Sequence, residues 1–257
     1  MRPEVRMAAD PEGAAALAAD LFVSVTRARA ARAERVAVVL SGGKTPQRMY
    51  ELLASSPRRD EVRWSQLHFF WADERAVPPE HPESNFRLVH QTLLAPLGIA
   101  ADRVHRICTE LPDLEQAACA YEQDIRRFFA LPEESTPPAF DLVFLGVGSD
   151  GHTASLFPGT DAVREQRRWV VANWVPQRSA WRITLTFPVL NAASCVGFLV
   201  SGAAKASAVA RALAGNAPRE ECPAAGVRPA GRLVWVLDRA AASQLPPEYG
   251  EVPEEPR

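Results

Sequence analysis

The 257-residue sequence predicts an α/β fold with a single three-layer domain, in which helices flank a mostly parallel sheet. Two observations carry this prediction. Short apolar runs alternate along the chain with helix-like segments, and the runs are apolar on both faces, as strands buried between two helical layers are. No segment has the composition of an interdomain linker, so we expect a single α/β domain over residues 1–245 and a polar, disorder-prone tail over residues 246–257.

The first helix and the first strand have the clearest signals. Asp10 is a capping residue that a proline follows, which is a typical helix start. Leu17, Leu21 and Val25 then recur at four-residue spacing and mark one apolar helix face. The first strand is predicted at residues 35–40, where the run RVAVVL is β-branched and apolar.

The remaining elements follow from the same patterns. Further strands are predicted at apolar runs over residues 67–71, 140–145, 169–172, 183–187, 195–200 and 233–237. Further helices are predicted over residues 46–55, 84–95, 114–130 and 203–214. Proline-rich stretches at residues 131–139 and 222–231 are typical of surface loops.

Charge and hydropathy exclude several classes of function. The chain has 29 Lys and Arg against 31 Asp and Glu, so it lacks the positive field of nucleic-acid-binding proteins. No apolar run approaches the ~18 residues of a membrane span, and the N-terminus has no signal-peptide pattern. We therefore expect a cytoplasmic protein that binds neither nucleic acid nor membranes.

The histidines and cysteines do not predict a metal site. The five histidines lack HxH and HExxH spacing, and the four cysteines form no CxxC pair. We therefore expect no metal and interpret the cysteines as reduced packing residues.

The first strand ends in a glycine-rich loop, at the position where open α/β sheets bind ligands. Glycines let the backbone approach a ligand, and the helix that follows offers free N–H groups at its positive end. The loop is not a P-loop, because that pattern would need a glycine at Val38. We predict an anion-binding loop made of Ser41, Gly42, Gly43, Lys44 and Thr45.

Acidic and basic residues follow the next predicted strand. Arg75 suits a phosphate held in a bidentate fork, and Asp73 suits a sugar hydroxyl, with Asn85 in the loop that follows. Glu74 is interpreted as part of a surface ion-pair cluster.

The segment GVGSDGHTAS at residues 146–155 formally contains the dinucleotide-binding pattern GxGxxG. Its context does not fit, because Pro158 interrupts the helix that should follow and Asn173 stands where an acidic residue should bind the ribose. A nucleophilic serine at Ser149 is also disfavoured, because Val147 replaces the first glycine of the GxSxG elbow.

What remains in this segment is an imidazole in a glycine-rich turn. His152 lies two residues after Asp150, with Gly148 and Gly151 beside them. A single histidine is more often structural, but its place at a strand end favours a role as general base.

Two basic residues complete the candidate site. Arg182 lies at the head of the predicted strand 183–187, and Lys205 lies where a helix opens after residue 202. An arginine and a lysine near a helix start could together neutralise a phosphate monoester.

In order along residues 36–237, the motifs SGGKTP, WADER, ESN, GVGSDGHTASLFP and RITLTF resemble those of the 6-phosphogluconolactonase family. The resemblance implies hydrolysis of 6-phospho-D-glucono-1,5-lactone in the pentose phosphate pathway, without a metal or an organic cofactor. It also implies a fold similar to that of glucosamine-6-phosphate deaminases and ribose-5-phosphate isomerases. We expect a monomer or a small homo-oligomer.

The resemblance also implies roles for the candidate residues. His152 would be the base, with Asp150 or another acid orienting its ring, and backbone N–H groups of the turn at residues 146–151 would face the developing oxyanion. The glycine-rich loop with Arg75, Arg182 and Lys205 would surround the phosphate and substrate, with Asp73 and Asn85 nearby. The segment SGAAKA, which contains Lys205, is less polar than in many relatives.

Two alternatives stay open at this point. An amino-sugar-phosphate deaminase/isomerase shares the DGH turn and the glycine loop, but its blocks are nearer DEY and GHIAFNEP, whereas this chain has DER and GHTASLFP. A non-catalytic sugar-phosphate sensor usually carries an output module, but the segment before the first strand predicts one helix and no helix-turn-helix.

Overall fold

A seven-stranded sheet forms the centre of the computed structural model, which describes residues 3–249. In spatial order its strands are β1 (Glu4–Ala8), β10 (Arg232–Asp238), β9 (Cys195–Val200), β6 (Leu142–Leu145), β2 (Val36–Leu40), β3 (Leu67–Trp71) and β5 (Val104–His105). Every neighbouring pair is parallel, so the carboxyl ends of the strands lie at one edge. The predicted α/β class is confirmed.

A second, antiparallel sheet lies beyond the end of β3. Its strands, in spatial order, are β4 (Asp73–Arg75), β8 (Ala180–Leu185) and β7 (Val170–Val175). The apolar runs at residues 169–172 and 183–187, which we assigned to a mostly parallel sheet, belong instead to this hairpin. Because β4 follows β3 after one residue, this sheet carries polar side chains beside the carboxyl edge of the main sheet.

Seven α-helices are found within the described residues. They are α1 (Pro11–Ala30), α2 (Lys44–Leu53), α3 (Arg58–Glu61), α4 (Asn85–Val89), α5 (Leu114–Phe129), α6 (Phe187–Ala192) and α7 (Ala206–Ala214). The predicted start of α1 is confirmed, because the side chain of Asp10 accepts the N–H of Gly13 at 2.8 Å. The segment predicted as a helix over residues 84–95 is α4 continued by a π-helical turn, His90–Leu94.

The core lies between the main sheet and its helices. All five residues of β2 are buried, and Ala14, Ala18, Leu21 and Phe22 of α1 are fully buried as well. Within residues 3–249 no helix has both the length and the hydropathy needed to cross a membrane.

Two expectations concern the cysteines and the tail. All four cysteines are free, but Cys119 is exposed, so the interpretation as packing residues is wrong for that one. Most of the tail predicted over residues 246–257 lies outside the described residues; its beginning contains a short 3₁₀ turn, Pro247–Tyr249.

Candidate active site

The loops that follow β2, β3, β6 and β9 meet around a cleft with a volume of about 260 Å³. Most of the predicted site residues line it: Ser41, Gly42, Gly43, Lys44, Thr45, Asp73, Arg75, Asn85, Gly148, His152 and Lys205. Gly146 and Val147, from the turn expected to face the oxyanion, line it as well. The sequence analysis did not single out the other lining residues, which are Pro46, Ala154, Leu199, Val200 and Ser201. In the part of the chain described, no group of three or more His, Cys, Asp or Glu side chains could hold a metal ion.

Three predicted residues do not line the cleft. Asp150 contacts His152, and Arg182 lies opposite Arg75 in the β4–β8 ladder. Gly151 has a φ of +90°, and a Cβ at this position would lie 2.9 Å from the Sγ of Cys222. Gly151 is therefore needed for the backbone turn and its packing rather than for contact with a ligand.

The glycine-rich loop is tied to the sheet by hydroxyl groups. Ser41 Oγ donates to the carbonyl of Phe144 at 2.8 Å, which joins the end of β2 to β6. The hydroxyl of Tyr50 donates to the Ser41 carbonyl at 2.6 Å and accepts the Ser41 N–H at 3.2 Å. Burial raises the pKa of Tyr50, so it stays a neutral donor. The Ser41 side chain therefore fixes the loop and can offer a ligand only acceptor capacity.

The loop also needs its glycines for packing and for its turn. A Cβ on Gly42 would lie 1.7 Å from the Oδ1 of Asn85, so no larger residue fits beneath this amide. Gly43 has a φ of +112° and precedes α2, whose first residue is Lys44. Lys44 and Thr45 line the cleft, and their N–H groups, in the first turn, have no partner within the helix.

A histidine and a carboxylate form a close pair in the turn at residues 146–155. His152 Nδ1 lies 2.6 Å from Asp150 Oδ1, and the imidazole stacks on Phe157 with ring centroids 3.9 Å apart. A Cβ on Gly148 would lie 2.0 Å from His152 Nδ1, so the pair requires a glycine there. Burial raises the pKa of Asp150, but the hydrogen bond and charge of His152 outweigh it and bring this pKa to about 2.

The charge of Asp150 determines which ring nitrogen can act as a base. A carboxylate only accepts hydrogen bonds, so Nδ1 must carry the proton that joins the pair. In neutral His152 the free lone pair is then on Nε2, which has no hydrogen-bond partner within residues 3–249. The pair is therefore arranged for proton abstraction by Nε2.

The backbone N–H groups of this turn are less available to a ligand than the sequence predicts. The N–H of Gly148 donates to the carbonyl of His152 at 2.8 Å, and the N–H of Gly151 donates to the carbonyl of Gly148 at 2.9 Å. Both glycine donors are engaged inside the turn, so the expectation that they face an oxyanion is wrong for these two groups.

Three cations line the cleft and a fourth, Arg182, lies opposite one of them; none of the four has an ion-pair partner in the described chain. Lys44, Arg75, Arg182 and Lys205 form no ion pair with any residue from 3 to 249. Burial, followed by the neighbouring charge of Arg75, lowers the pKa of Arg182. A bound anion would relieve this repulsion, so the electrostatics favour a negatively charged ligand.

Glu74 is buried, so its interpretation as part of a surface cluster is wrong. Its carboxylate accepts the N–H groups of Arg75, Asn85 and Phe86, each at 2.8 Å, and it is only 2% exposed. Burial raises the pKa of Glu74, and the three N–H donors oppose that rise. Glu74 thus holds the start of α4, from which Asn85 reaches the cleft.

Comparison with known proteins identifies relatives over nearly the whole chain. Residues 9–235 match a family described as glucosamine-6-phosphate isomerases/6-phosphogluconolactonase. The chain is 42% identical over 238 residues to a 6-phosphogluconolactonase of Streptomyces coelicolor, covering 91% of this chain and 90% of that protein. It is 41% identical to a 6-phosphogluconolactonase of Synechocystis, covering 87% and 90%.

Solved structures show the same relationship. A 6-phosphogluconolactonase from Trypanosoma cruzi aligns with a TM-score of 0.84 at 30% identity, covering 95% of this chain and 97% of that one. The enzyme from Thermotoga maritima aligns with a TM-score of 0.79 at 30% identity, covering 92% and 100%. A monomeric glucosamine-6-phosphate deaminase aligns with a TM-score of 0.78 at 21% identity, covering 94% and 99%, which shows a shared fold alone.

Proposed function

The chain belongs to the glucosamine-6-phosphate isomerase/6-phosphogluconolactonase family, and on that premise we propose that it hydrolyses 6-phospho-D-glucono-1,5-lactone to 6-phospho-D-gluconate in the pentose phosphate pathway. One observation carries the proposal from the site itself. His152, paired with Asp150 and with Nε2 free, lines a cleft bordered by cations that form no ion pair within residues 3–249. A base and an anion-binding surface are the two parts that hydrolysis of a phosphorylated lactone needs.

The phosphate anchors the substrate in this proposal. Arg75 and Arg182 lie opposite each other on β4 and β8, and Lys44 and Lys205 lie on the walls formed by the loops after β2 and β9. The first-turn N–H groups of α2 add uncharged donors for phosphate oxygens. Binding energy from the phosphate then fixes the position of C1, which is remote from it.

His152 activates water in the first chemical step. Nε2 takes a proton as the water oxygen bonds to C1, and the carbonyl oxygen gains the negative charge. Asp150 holds Nδ1–H and stabilises the imidazolium that forms. General base catalysis of this kind contributes about 10²- to 10⁴-fold in rate.

The second step breaks the bond between C1 and the ring oxygen. The imidazolium of His152 returns its proton to the departing ring oxygen, which becomes the 5-hydroxyl of the product. The new carboxylic acid then loses a proton to water, so each turnover releases one acid equivalent. No redox change or additional reactant is required.

The decisive experiment measures acid release with the wild-type protein. Freshly prepared 6-phosphogluconolactone and unphosphorylated gluconolactone are compared, and the spontaneous hydrolysis rate is subtracted from each. We expect strong acceleration for the phosphorylated lactone and a much weaker but measurable acceleration for the unphosphorylated one. A rate equal to the blank would refute the lactonase function, and ammonia release from glucosamine 6-phosphate would support the deaminase instead.

Three other expectations remain predictions. They are the cytoplasmic location, the monomer or small homo-oligomer, and the lack of nucleic-acid and membrane partners. Light scattering coupled to size-exclusion chromatography would measure the oligomeric state of the purified protein.

A further inference from the structure

Ser155 lies outside the cleft but contacts one of the residues that line it. Its hydroxyl donates to Asp73 Oδ2 at 2.6 Å, across 82 positions of sequence. Ser155 is 1% exposed and Asp73 is 7% exposed, so water competes little for this bond. Asp73 lines the cleft, whereas Ser155 stands behind it.

The antiparallel sheet holds Ser155 in place. Its N–H donates to Thr184 Oγ1 on β8 at 3.1 Å, and its carbonyl accepts Asn173 Nδ2 on β7 at 2.9 Å. Thr184 and Asn173 are both buried. The Ser155 hydroxyl is therefore a fixed donor rather than a mobile surface group.

Asn85 holds Asp73 from the other side. Asn85 Nδ2 donates to the Asp73 carbonyl at 2.8 Å and lies 3.4 Å from Asp73 Oδ1. Among residues 3–249 Asp73 forms no ion pair; its carboxylate accepts hydrogen bonds from Asn85 and Ser155, and the charge of Arg182 acts on it from a longer distance.

We propose that Ser155 is a positioning residue that fixes the Asp73 carboxylate as a hydrogen-bond acceptor for a hydroxyl of the sugar lactone. This inference rests on the proposed function of the same cleft. A carboxylate held by its Oδ2 keeps Oδ1 available at a constant angle, which discriminates a hydroxyl-bearing ring from other phosphorylated ligands. Without the serine, the carboxylate could rotate and the sugar ring would lose its register.

The test compares two substitutions at Ser155 with a control substitution at a distant buried hydroxyl. Ser155→Ala removes the donor, and we expect a loss of about tenfold in kcat/KM, the size of one weak hydrogen bond. Ser155→Thr keeps the hydroxyl, so it should retain most of kcat/KM even though its extra methyl lowers Tm in a buried site. Thr26→Val is the control, because it removes a buried hydroxyl that bonds only within α1.

A double-mutant cycle with Asp73→Asn separates positioning from a general effect on the fold. If Ser155 acts through Asp73, then Ser155→Ala adds little to the loss already caused by Asp73→Asn. Two results would overturn the proposal. One is a double variant whose loss in kcat/KM equals the product of the two single losses. The other is a Ser155→Thr variant that loses activity while Ser155→Ala keeps it.

Binding of 6-phospho-D-gluconate, measured by calorimetry, distinguishes this inference from the proposed function. If the wild type binds this product but hydrolyses no lactone, only the proposed function fails. The role of Ser155 is then decided by the Kd values of the product for Ser155→Ala, Asp73→Asn and the double variant. If the wild type neither binds nor hydrolyses, both proposals are wrong. An active wild type with non-additive losses supports both.

Discussion

Residues 3–249 contain two histidine–aspartate pairs with similar Nδ1–carboxylate distances and different surroundings. His152 Nδ1 lies 2.6 Å from Asp150 in the turn beside the cleft, and His105 Nδ1 lies 2.8 Å from Asp124 between β5 and α5. The other nitrogen of His105 lies 3.2 Å from Nδ1 of His68, whereas His152 Nε2 has no partner in residues 3–249. The pair alone therefore does not identify a catalytic base.

The neighbours of each ring explain the difference. His105 stacks on Phe70 with ring centroids 4.2 Å apart and an interplanar angle of 5°, inside an aromatic cluster. His152 also stacks on a phenylalanine, but it lines a cleft that Arg75 and Lys205 share. A free ring nitrogen next to unneutralised cations distinguishes the catalytic candidate from the structural pair.

The largest expected effect comes from removing the imidazole at each pair in turn. His152→Ala should lower kcat on the phosphorylated lactone by about 10²- to 10⁴-fold, because the base is lost. His105→Phe should leave kcat unchanged and lower Tm, because it breaks the bond to Asp124 while keeping the stack on Phe70. Acid-release kinetics and thermal unfolding of both variants measure this contrast. Equal losses of activity in the two variants would contradict it.

The second-largest effect is expected from removing a cation at the cleft. Arg75→Ala should lower kcat/KM on the phosphorylated lactone roughly 10- to 100-fold, the size of one or two hydrogen bonds to a charged group. Activity on unphosphorylated gluconolactone should hardly change, since that substrate has no phosphate to bind. Arg35→Ala is a suitable control, because Arg35 lies over Phe128 in the aromatic cluster instead. A similar loss on both substrates would show that Arg75 does not act on the phosphate.

The contrast between the two pairs also shows what the sequence could predict. Motifs at the ends of β2, β3 and β6 are local in sequence, and parallel strands bring their carboxyl ends together, so the convergence of Gly42, Arg75 and His152 was predictable. Contacts between residues from distant parts of the chain were not predictable. Ser155 meets Asp73, and His105 meets His68, only through tertiary packing that no short spacing encodes.

Several elements were missed for related reasons. β1 is short, contains Glu4 and Arg6, and gains its stability by pairing with β10 at the other end of the chain. β4 consists of Asp73–Arg75, and three charged residues do not form an apolar run. The sequence predicts an exposed Glu74 because a charged residue is rarely buried, whereas three backbone N–H donors and the Ser84 hydroxyl at its carboxylate make its burial possible.

A smaller effect should follow from Asp150→Asn. A neutral acceptor in place of a charged one weakens the support of the imidazolium, so kcat should fall by about tenfold. The variant also tests acid stability. Because the folded-state pKa of Asp150, about 2, lies below its ordinary 3.8, its contribution to stability is present above about pH 4 and is lost as pH falls toward 2.

The size of that stability contribution is modest. The Asp150 side chain is 38% exposed, so solvent screening reduces it to on the order of 1 kcal/mol. Urea unfolding of the wild type and Asp150→Asn between pH 2 and pH 5 measures the difference. An unchanged acid slope in the variant would show that another carboxylate is responsible.

The smallest effect on activity is expected at the structural pair, where His68→Phe should alter stability alone. Burial, followed by the charges of His105, Arg35 and Arg103 against that of Asp102, lowers the pKa of His68 from 6.5 to about 4. The folded protein therefore favours the neutral ring, and this stability is complete above pH 6.5 and is lost as pH falls toward 4.

The phenylalanine of His68→Phe cannot be protonated. As pH falls from 6.5 to 4, the unfolding free energy of this variant should therefore decrease less than that of the wild type, by at most about 3 kcal/mol. Urea unfolding at several pH values measures the slope, and His90→Gln, which removes an exposed imidazole, should keep it. The kcat/KM of His68→Phe at pH 7 should equal that of the wild type, because His68 lies outside the cleft. A loss of kcat/KM without a change in the pH dependence of the unfolding free energy would mean that His68 affects catalysis in the cleft. The distinction between a catalytic and a structural pair would then be wrong.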